Sequence, residues 1–305
     1  MAILKLKPHT TDYLWGGEKL REQYNIKSDK TPLAEAWMLS AHKSGESVIV
    51  NTDDKGLTLS EYISKYGKTA LGKNCERFEN FPVLIKFIDA KDNLSIQVHP
   101  SDEYALKNEG EFGKTEMWYI LDAEPDAFLY YGFKEEISKD EFVERIENNT
   151  LLEVLNAVKV NKGDVFFIPA GTLHAIGKGI VIAEVQQNSN LTYRVYDYGR
   201  VDKNGNTREL HVEKAVKVTD LNLPKQLDFG NHLAKCEYFT VDVVEDDFIG
   251  VCEENSFVSI LVLDGKGEIN CKDECLAIQK GDSLFLPANS GEFKLSNVKA
   301  LITRV

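Results

Sequence analysis

The chain has 305 residues, a hydrophobic fraction of 43% and a formal net charge of −13. This acidic balance disfavours nucleic acid and anionic membrane surfaces as partners, although a local group of Lys and Arg side chains can still bind a small anion. No apolar run approaches the length of a membrane span, and the first residues lack the apolar core of a signal peptide, so we expect a soluble cytoplasmic protein. The five cysteines form no dense framework, which favours free thiols in a reducing compartment.

The first part of the chain combines short predicted strands with one helix. Residues 3–6 and 47–50 are predicted to be strands, and residues 58–66 are predicted to be a helix. Thr58 followed three residues later by Glu61 fits a capping box, in which each residue satisfies a backbone N–H of the other.

Residues 81–88 (FPVLIKFI) are rich in aromatic and β-branched side chains and are predicted to form a strand. Lys86 is the only charged residue within it. Because an unpaired buried ammonium group is costly, Lys86 should face either a partner or a polar cavity.

Residues 94–100 (LSIQVHP) are predicted to form a strand in which alternate side chains lie on opposite faces. Gln97 and His99 therefore share a face that the apolar side chains do not occupy. An amide oxygen and an imidazole nitrogen can both bind a metal ion, and Pro100 ends the ladder, so this pair is expected at a strand end.

Residues 115–121 are the next predicted strand, with Glu116 near its start. Residues 135–158 differ, because Ser138 and Glu141 fit a capping box and apolar side chains follow at helical spacing. These apolar residues are Phe142, Ile146, Leu151, Leu152 and Leu155. The pattern predicts one or two helices inserted into a β framework.

Beyond residue 160 the β pattern returns, with short strands separated by glycine turns, as is typical of an antiparallel sandwich or barrel. The polar stretch 219–229, which contains Pro224, is the predicted boundary between two halves of the chain. Further strands are predicted at 239–244, 257–263 and 283–286.

The two halves carry related sequences. Residues 160–171 and 278–291 both contain K-G-D, four residues of strand character and then P-A. Finding this pattern in two β-rich halves indicates a duplication. The first copy continues to His174, whereas the second has Gly291, Glu292 and Phe293 in that neighbourhood.

The pattern G-D-x-x-x-x-P-x-G-x-x-H, which ends at His174, resembles the second motif of the cupin superfamily. Gln97-x-His99 followed by Glu116 is similar to the first cupin motif, with Gln in place of a His and a longer spacing to the carboxylate. This resemblance implies a mainly β fold of two cupin-like (jelly-roll) barrels with a small helical insert. The expected domains are a catalytic one, residues 1–225, with its insert near 135–158, and a degenerate cupin, residues 226–305.

A closer resemblance is to the type I phosphomannose isomerases in their shorter bacterial form. The stretches that carry it are PVLIKFIDAKDNLSIQVHPSDEYA, GKTEMWYIL, IPAGTLHAI and LTYRVYDY. The resemblance implies zinc-dependent interconversion of mannose 6-phosphate and fructose 6-phosphate, with one zinc ion per chain. It places the metal ligands on Gln97, His99, Glu116 and His174, and the catalytic arginine on Arg194.

The reaction moves a proton between C2 of the aldose and C1 of the ketose through an enediolate. Lys86 and a metal-bound water are the two candidates for the proton carrier. Ser95, which shares a face with Gln97, and Lys114 are candidate contacts for the substrate phosphate. His42 and Trp15 are assigned to the wall of the cleft.

Several alternatives stay open at this level. The same donor set could hold iron, manganese or cobalt instead of zinc. Two histidines and a carboxylate also occur in cupin dioxygenases that use non-haem iron, and a cupin could bind a sugar phosphate without turnover. Arg194 could simply pair with Asp197, and the oligomeric state cannot be inferred.

Overall fold

The computed structural model describes residues 3–201 and 205–305. Its strands are β1 (Leu4–Lys7), β2 (His9–Thr11), β3 (Glu35–Leu39), β4 (Ala41–His42), β5 (Gly45–Glu46), β6 (Val48–Ile49), β7 (Val83–Ala90), β8 (Ile96–Val98), β9 (Glu116–Ala123), β10 (Phe128–Phe133), β11 (Leu155–Lys159), β12 (Val165–Ile168), β13 (His174–Ala175), β14 (Ile180–Gln187), β15 (Tyr193–Tyr196), β16 (Ala234–Lys235), β17 (Thr240–Val244), β18 (Phe248–Cys252), β19 (Val258–Cys271), β20 (Glu274–Gln279), β21 (Ser283–Leu286) and β22 (Gly291–Arg304). The fold is mainly β, as predicted.

The helices are few and short. They are α1 (Lys19–Tyr24), α2 (Leu59–Tyr66), α3 (Asp102–Asn108), α4 (Lys139–Glu147) and α5 (Val212–Val218), with 3₁₀ turns at Lys68–Ala70, Lys73–Cys75 and Leu151–Glu153. Among the described residues, each helix falls well short of the roughly 20 residues that a bilayer span requires.

Both predicted capping residues begin helices. Glu61 donates its backbone N–H to the Thr58 side chain and accepts the backbone N–H of Thr58, which completes the capping box of α2. Ser138 caps α4 by accepting the backbone N–H of Glu141 at 3.1 Å. Each cap satisfies a backbone donor that the first helical turn leaves without an internal partner.

The predicted helical insert is shorter than its apolar pattern indicated. Helix α4 ends at Glu147, and Asn149 then takes a left-handed conformation (φ 56°), which the helix cannot continue through. The prediction was wrong for Leu155–Lys159, which forms strand β11 and pairs with β10. Pairing with β10, which the local apolar pattern does not reveal, makes this segment a strand instead of a helix.

Contacts divide the chain into two compact units. The first consists of Met1–Thr11, Glu18–Phe87 and Phe229–Val305, and the second of Asp12–Gly17 and Ile88–Asp228. The predicted boundary after residue 225 lies close to Phe229, where the chain re-enters the first unit. The N-terminal segment, however, belongs to the same unit as the C-terminal segment. The reason is that β1 pairs with β21. The assignment of residues 1–225 to a catalytic domain and of residues 226–305 to a degenerate cupin domain stays a prediction.

The first unit is built on one large antiparallel sheet. Its order is β16-β17-β22-β19-β21-β1-β6, with β18 added to β22 and β20 added to β19. The inner face of the sheet buries a continuous apolar core, which includes Val258, Ile260, Phe293 and Ile302. Burial of this apolar surface is the main stabilising contribution in the unit.

The second unit contains two antiparallel sheets. One has the order β11-β10-β13-β8-β15, and the other includes β12-β9-β14 in that order. The sheets are open paths with a strand arrangement compatible with a jelly roll, rather than closed barrels. This arrangement gives the unit an interior with two lining faces.

The five-stranded sheet has two chemically different faces. Ile96 and Val98 of β8 belong to an apolar cluster with Phe142 of α4 and Ala215 of α5. Helices α4 and α5 therefore cover one face of the sheet. Because side chains alternate along a strand, Gln97 points to the opposite face, as predicted.

The two copies of the repeat have the same local structure. Gly163 and Gly281 have φ values of 96° and 90°, which glycine adopts more readily than other residues. The Asp164 and Asp282 side chains each accept the backbone N–H of the residue three positions earlier, at 2.7 Å and 2.9 Å. Strands β12 and β21 follow, and they pair antiparallel with β9 and β19 respectively.

Candidate metal centre

Three potential ligands converge inside the second unit. His99, Glu116 and His174 each offer a ligand atom, and these atoms all lie within 4.8 Å of one another. The Glu116 carboxylate lies 3.3 Å from His99 Nε2 through Oε1 and 3.7 Å from His174 Nε2 through Oε2. All three side chains are at most 1% exposed.

Sheet register explains why residues distant in sequence meet here. In the five-stranded sheet Gln97 pairs with His174 on one side and with Arg194 on the other. Paired residues on neighbouring strands project to the same face, so the three side chains form a row across β13, β8 and β15. Glu116 comes from the other sheet of the unit, at the first residue of β9.

Hydrogen bonds fix which nitrogen of each histidine is free to bind a cation. His99 Nδ1 lies 2.8 Å from the Leu191 carbonyl oxygen, and His174 Nδ1 lies 2.9 Å from the Thr172 carbonyl oxygen. A carbonyl only accepts, so each Nδ1 donates its hydrogen and each Nε2 keeps its lone pair. Two imidazole lone pairs and a carboxylate are all acceptors, and such a set is suited to binding a metal cation.

The protonation states also suit a metal. Burial, assisted by the charge of Lys114, lowers the pKa of His99 to about 3. Burial likewise lowers the pKa of His174. Burial opposes ionisation of Glu116, but the charge of the Lys114 ammonium group outweighs it and holds the pKa of this carboxyl well below its usual range. Neutral imidazoles and an ionised carboxylate are the forms that bind a metal.

The fourth predicted ligand, Gln97, lies beside the cluster. Its Nε2 atom is 3.5 Å from His174 Nε2. Rotation of the terminal amide exchanges its nitrogen and oxygen, so the oxygen can occupy this position. Direct ligation by Gln97 stays a prediction.

Lys114, predicted as a phosphate contact, also lies at the cluster. Its Nζ contacts Glu116 Oε1 and is 3.3 Å from His99 Nε2, and the residue is 4% exposed. The alternation of side chains along the predicted strand did not indicate this position, because Lys114 lies before the first residue of β9. Its predicted role with phosphate stays a prediction.

Arg194 and Ser95 form a second polar group on the same face. Arg194 donates from Nε to Ser95 Oγ at 3.2 Å and from Nη1 to the Glu209 carbonyl oxygen at 2.9 Å. Asp197 instead accepts hydrogen bonds from Arg200 Nε at 3.1 Å and from Arg208 Nε at 2.7 Å. Arg194 is thus held by a hydroxyl and a carbonyl rather than by Asp197.

The described contacts of the remaining predicted residues involve other side chains. Lys86 belongs to the first unit, where its Nζ is 3.8 Å from Glu35 Oε2 and 5.0 Å from the centroid of the Trp37 ring. His42 packs edge-on against the same Trp37 ring, and Trp15 in the second unit stacks on Tyr13. The catalytic role predicted for Lys86 and the cleft-wall roles of the other two stay predictions.

Sequence reasoning missed two buried side chains beside Glu116. Trp118 lies two residues further along β9, and Glu184 on β14 is its register partner. The Trp118 indole nitrogen donates to Glu116 at 3.1 Å and to Glu184 at 2.9 Å. The available signal was a glutamate inside the otherwise apolar strand IVIAEVQQ, where an acidic side chain needs a polar partner.

Comparison with known proteins gives consistent results. Residues 3–128 match the family model for the catalytic domain of phosphomannose isomerase type I, and residues 230–304 match the model for the cupin domain of mannose-6-phosphate isomerase. The chain is 39% identical to mannose-6-phosphate isomerase ManA of Bacillus subtilis, over 96% of this chain and 95% of that protein.

Solved structures agree with this similarity. The crystal structure of mannose 6-phosphate isomerase from Bacillus subtilis matches with a TM-score of 0.93 and 34% identity, over 100% of both chains. A structure of mannose 6-phosphate isomerase bound with zinc and yttrium matches with a TM-score of 0.78 and 19% identity, over 99% of both chains, which shows the shared fold.

Proposed function

The chain belongs to the type I phosphomannose isomerase family, and from this premise we propose that it interconverts mannose 6-phosphate and fructose 6-phosphate at the metal centre of its second unit. The observation that carries this proposal is the convergence of His99, Glu116 and His174, in which both Nε2 atoms keep their lone pairs and lie within 3.7 Å of the carboxylate. The row of Gln97 and Arg194 on the adjoining sheet completes the polar surface.

We propose that one zinc ion per chain is held by His99, Glu116 and His174, with Gln97 as a fourth ligand. Two imidazoles, a carboxylate and an amide oxygen suit zinc and allow it to accept a further oxygen ligand. When bound, zinc polarises a carbonyl group and stabilises negative charge that develops on an adjacent oxygen. The zinc and yttrium structure of the same fold supports this choice of metal.

Arg194 supplies a fixed positive charge next to the metal ligands. Its register partner is Gln97, and its guanidinium is oriented by Ser95 and by the Glu209 carbonyl. A held guanidinium favours one orientation of the sugar oxygens and stabilises the enediolate that forms when a proton leaves C2. We therefore assign Arg194 to binding and charge stabilisation.

Proton transfer between C2 and C1 needs a group that accepts and returns the same proton. We keep Lys86 and water as the candidates for this role. Lys114 is the ammonium group in contact with the metal ligands, so it can also donate a hydrogen bond to a substrate oxygen there. Ser95 and Lys114 are our candidates for contacts to the phosphate end of the substrate.

The broader properties of the chain fit a cytoplasmic enzyme that does not bind nucleic acid. A net charge of −13 disfavours nucleic acid, and the described cysteines are free, which suits a cytoplasmic enzyme. We assign catalysis to the domain at residues 1–225 and regard the domain at residues 226–305 as a degenerate cupin.

The proposal is tested by measuring fructose 6-phosphate formed from mannose 6-phosphate in a coupled assay, with and without a chelator. We expect turnover that falls to background when the metal is removed and returns when zinc is added. Binding of mannose 6-phosphate without product formation in the zinc-loaded protein contradicts the proposal.

A further inference from the structure

A single indole connects the metal centre to a second buried carboxylate. Trp118 Nε1 lies 3.1 Å from Glu116 Oε2 and 2.9 Å from Glu184 Oε2. Trp118 is 1% exposed, and the two glutamates are 0% and 3% exposed. An indole carries one N–H and accepts no hydrogen bond, so this buried donor is shared between two carboxylate oxygens.

The same indole also contacts another ligand. The Trp118 ring lies edge-on against the His174 ring, with centroids 5.2 Å apart and an interplanar angle of 78°. Trp118 thus touches the carboxylate ligand through a hydrogen bond and a histidine ligand through its ring. Aromatic pairs prefer this edge-to-face geometry, so the contact restrains the imidazole orientation.

Strand geometry accounts for both contacts. Trp118 follows Glu116 by two residues on β9, so the two side chains share a face, and Glu184 is the register partner of Trp118 on β14. The hydrogen bond holds Glu116 Oε2, while Oε1 faces His99 at 3.3 Å. A carboxylate held at one oxygen loses fewer rotamers when its other oxygen binds a cation.

In the second copy of the repeat, which lacks the metal-ligating residues, apolar side chains take the place of this network. β12 pairs with β9 as β21 pairs with β19, and this register aligns Trp118 with Ile260 and Glu116 with Val258. Both residues of the second copy belong to an apolar core. The indole is therefore present in the copy that has the metal-ligating residues and absent from the copy that shares only the fold.

We infer that Trp118 is a positioning residue of the metal centre, which orients Glu116 through its N–H and His174 through its ring. This inference rests on the proposed function, because it takes the cluster to hold zinc. Loss of a hydrogen bond to a metal ligand commonly weakens metal affinity by about 10–100-fold. We expect removal of the Trp118 N–H to weaken zinc affinity by a factor in that range.

The chain offers a matched control. Trp37 in the first unit is 1% exposed and donates to Glu35, two residues earlier on the same strand, at 2.7 Å. Trp118→Phe and Trp37→Phe therefore each remove one buried indole N–H from a glutamate two residues away. Only the first of these glutamates belongs to the metal cluster.

The zinc dissociation constant of each purified variant is measured by competition with a chromophoric chelator, and the thermal unfolding midpoint is measured on the metal-free proteins. We expect Trp118→Phe to raise the zinc dissociation constant about tenfold or more, and Trp37→Phe to change it less than twofold. A purely structural role lowers the unfolding midpoint without changing zinc affinity. A zinc dissociation constant for folded Trp118→Phe within twofold of the wild type overturns the inference.

A second measurement uses the wild-type chain and does not depend on the variant folding. The three tryptophans, Trp15, Trp37 and Trp118, give three indole N–H signals in a ¹H–¹⁵N spectrum, which Trp15→Phe and Trp37→Phe assign. Stoichiometric zinc should shift the Trp118 signal and leave that of Trp37 in place. A Trp118 signal unmoved by bound zinc overturns the inference, whereas a wild-type protein that binds no zinc overturns the proposed function instead.

Discussion

Strand β9 in the second unit and strand β19 in the first begin at equivalent positions of the repeat. Glu116 is the first residue of β9 and pairs with Ile168, while Val258 is the first residue of β19 and pairs with Leu286. The two strands then differ again two residues later, where Trp118 is replaced by Ile260. One backbone arrangement thus supports a polar interior in one unit and an apolar interior in the other.

The difference shows which requirements belong to the fold and which belong to the site. An apolar interior needs only shape and volume, so Val258 and Ile260 stabilise the first unit by burial alone. A buried carboxylate needs partners, and Glu116 has Lys114, Trp118 and the two histidines of the cluster around it. The polar interior is therefore built from several residues at once, and removal of one leaves the others without a partner.

The largest expected effect comes from breaking the ligand set at His174. Counting from the shared glycine and aspartate, Glu292 occupies the corresponding place in the second copy. We expect His174→Ala to abolish stoichiometric zinc binding and to lower turnover roughly 10³-fold or more, because a ligand and its fixed lone pair are lost. Elemental analysis and the coupled assay measure both. Glu292→Ala should change neither, and a His174→Ala protein with full zinc and activity contradicts the assignment.

A carboxylate placed in the apolar copy should be costly. Val258→Glu introduces at a 2% exposed position the residue that Glu116 provides in the other unit, but without its partners. We expect a loss of about 3–5 kcal/mol in the free energy of unfolding, which is typical of an uncompensated buried charge. Urea denaturation measures the loss. Ile249→Glu on β18 of the same unit is the control, because Ile249 is 62% exposed and lies opposite Lys294, and it should cost less than about 0.5 kcal/mol. Equal losses in the two variants contradict the comparison.

A smaller expected effect is the pH dependence of the free energy of unfolding that the polar interior contributes. Burial lowers the pKa of His99 to about 3, with Lys114 acting in the same direction, whereas an unfolded histidine titrates near 6.5. Below about pH 6.5 the unfolded chain therefore binds a proton that the folded chain does not. The free energy of unfolding of the metal-free protein should fall by up to about 1.4 kcal/mol per pH unit for this histidine, and the loss continues until about pH 3.

Urea denaturation of the metal-free protein between pH 7.5 and 5.5 measures this slope. His99→Gln removes this titrating group and should make the slope shallower by about the contribution of one histidine. An unchanged slope in His99→Gln argues against a neutral His99 in the folded protein.

Local sequence rules accounted for much of the fold. The caps at Thr58 and Ser138 and the alternation in residues 94–100 depend on neighbouring residues, and the structure contains all three features. The end of the helical insert depended on pairing instead. Leu155 continues the helical spacing of the preceding apolar residues, yet hydrogen bonds with β10 make residues 155–159 a strand.

The candidate site divides in the same way. Gln97, His99, Glu116 and His174 each lie in a motif, so the sequence pointed to them before any contact was known. Trp118 and Glu184 lie outside these motifs, and the hydrogen bond between them depends on the register between β9 and β14. The position of Lys114 against the cluster likewise depends on tertiary structure.

The sequence by itself determined the residue types that can bind a metal, the duplication, and the loss of the histidine in the second copy, because each is a property of residues close together along the chain. Tertiary structure alone decided that Gln97 lies between His174 and Arg194, that both imidazoles keep their Nε2 lone pairs for the cluster, and that one indole joins two buried carboxylates. These properties arise from strand pairing and from hydrogen bonds between distant segments, which exist only once the sheets have formed.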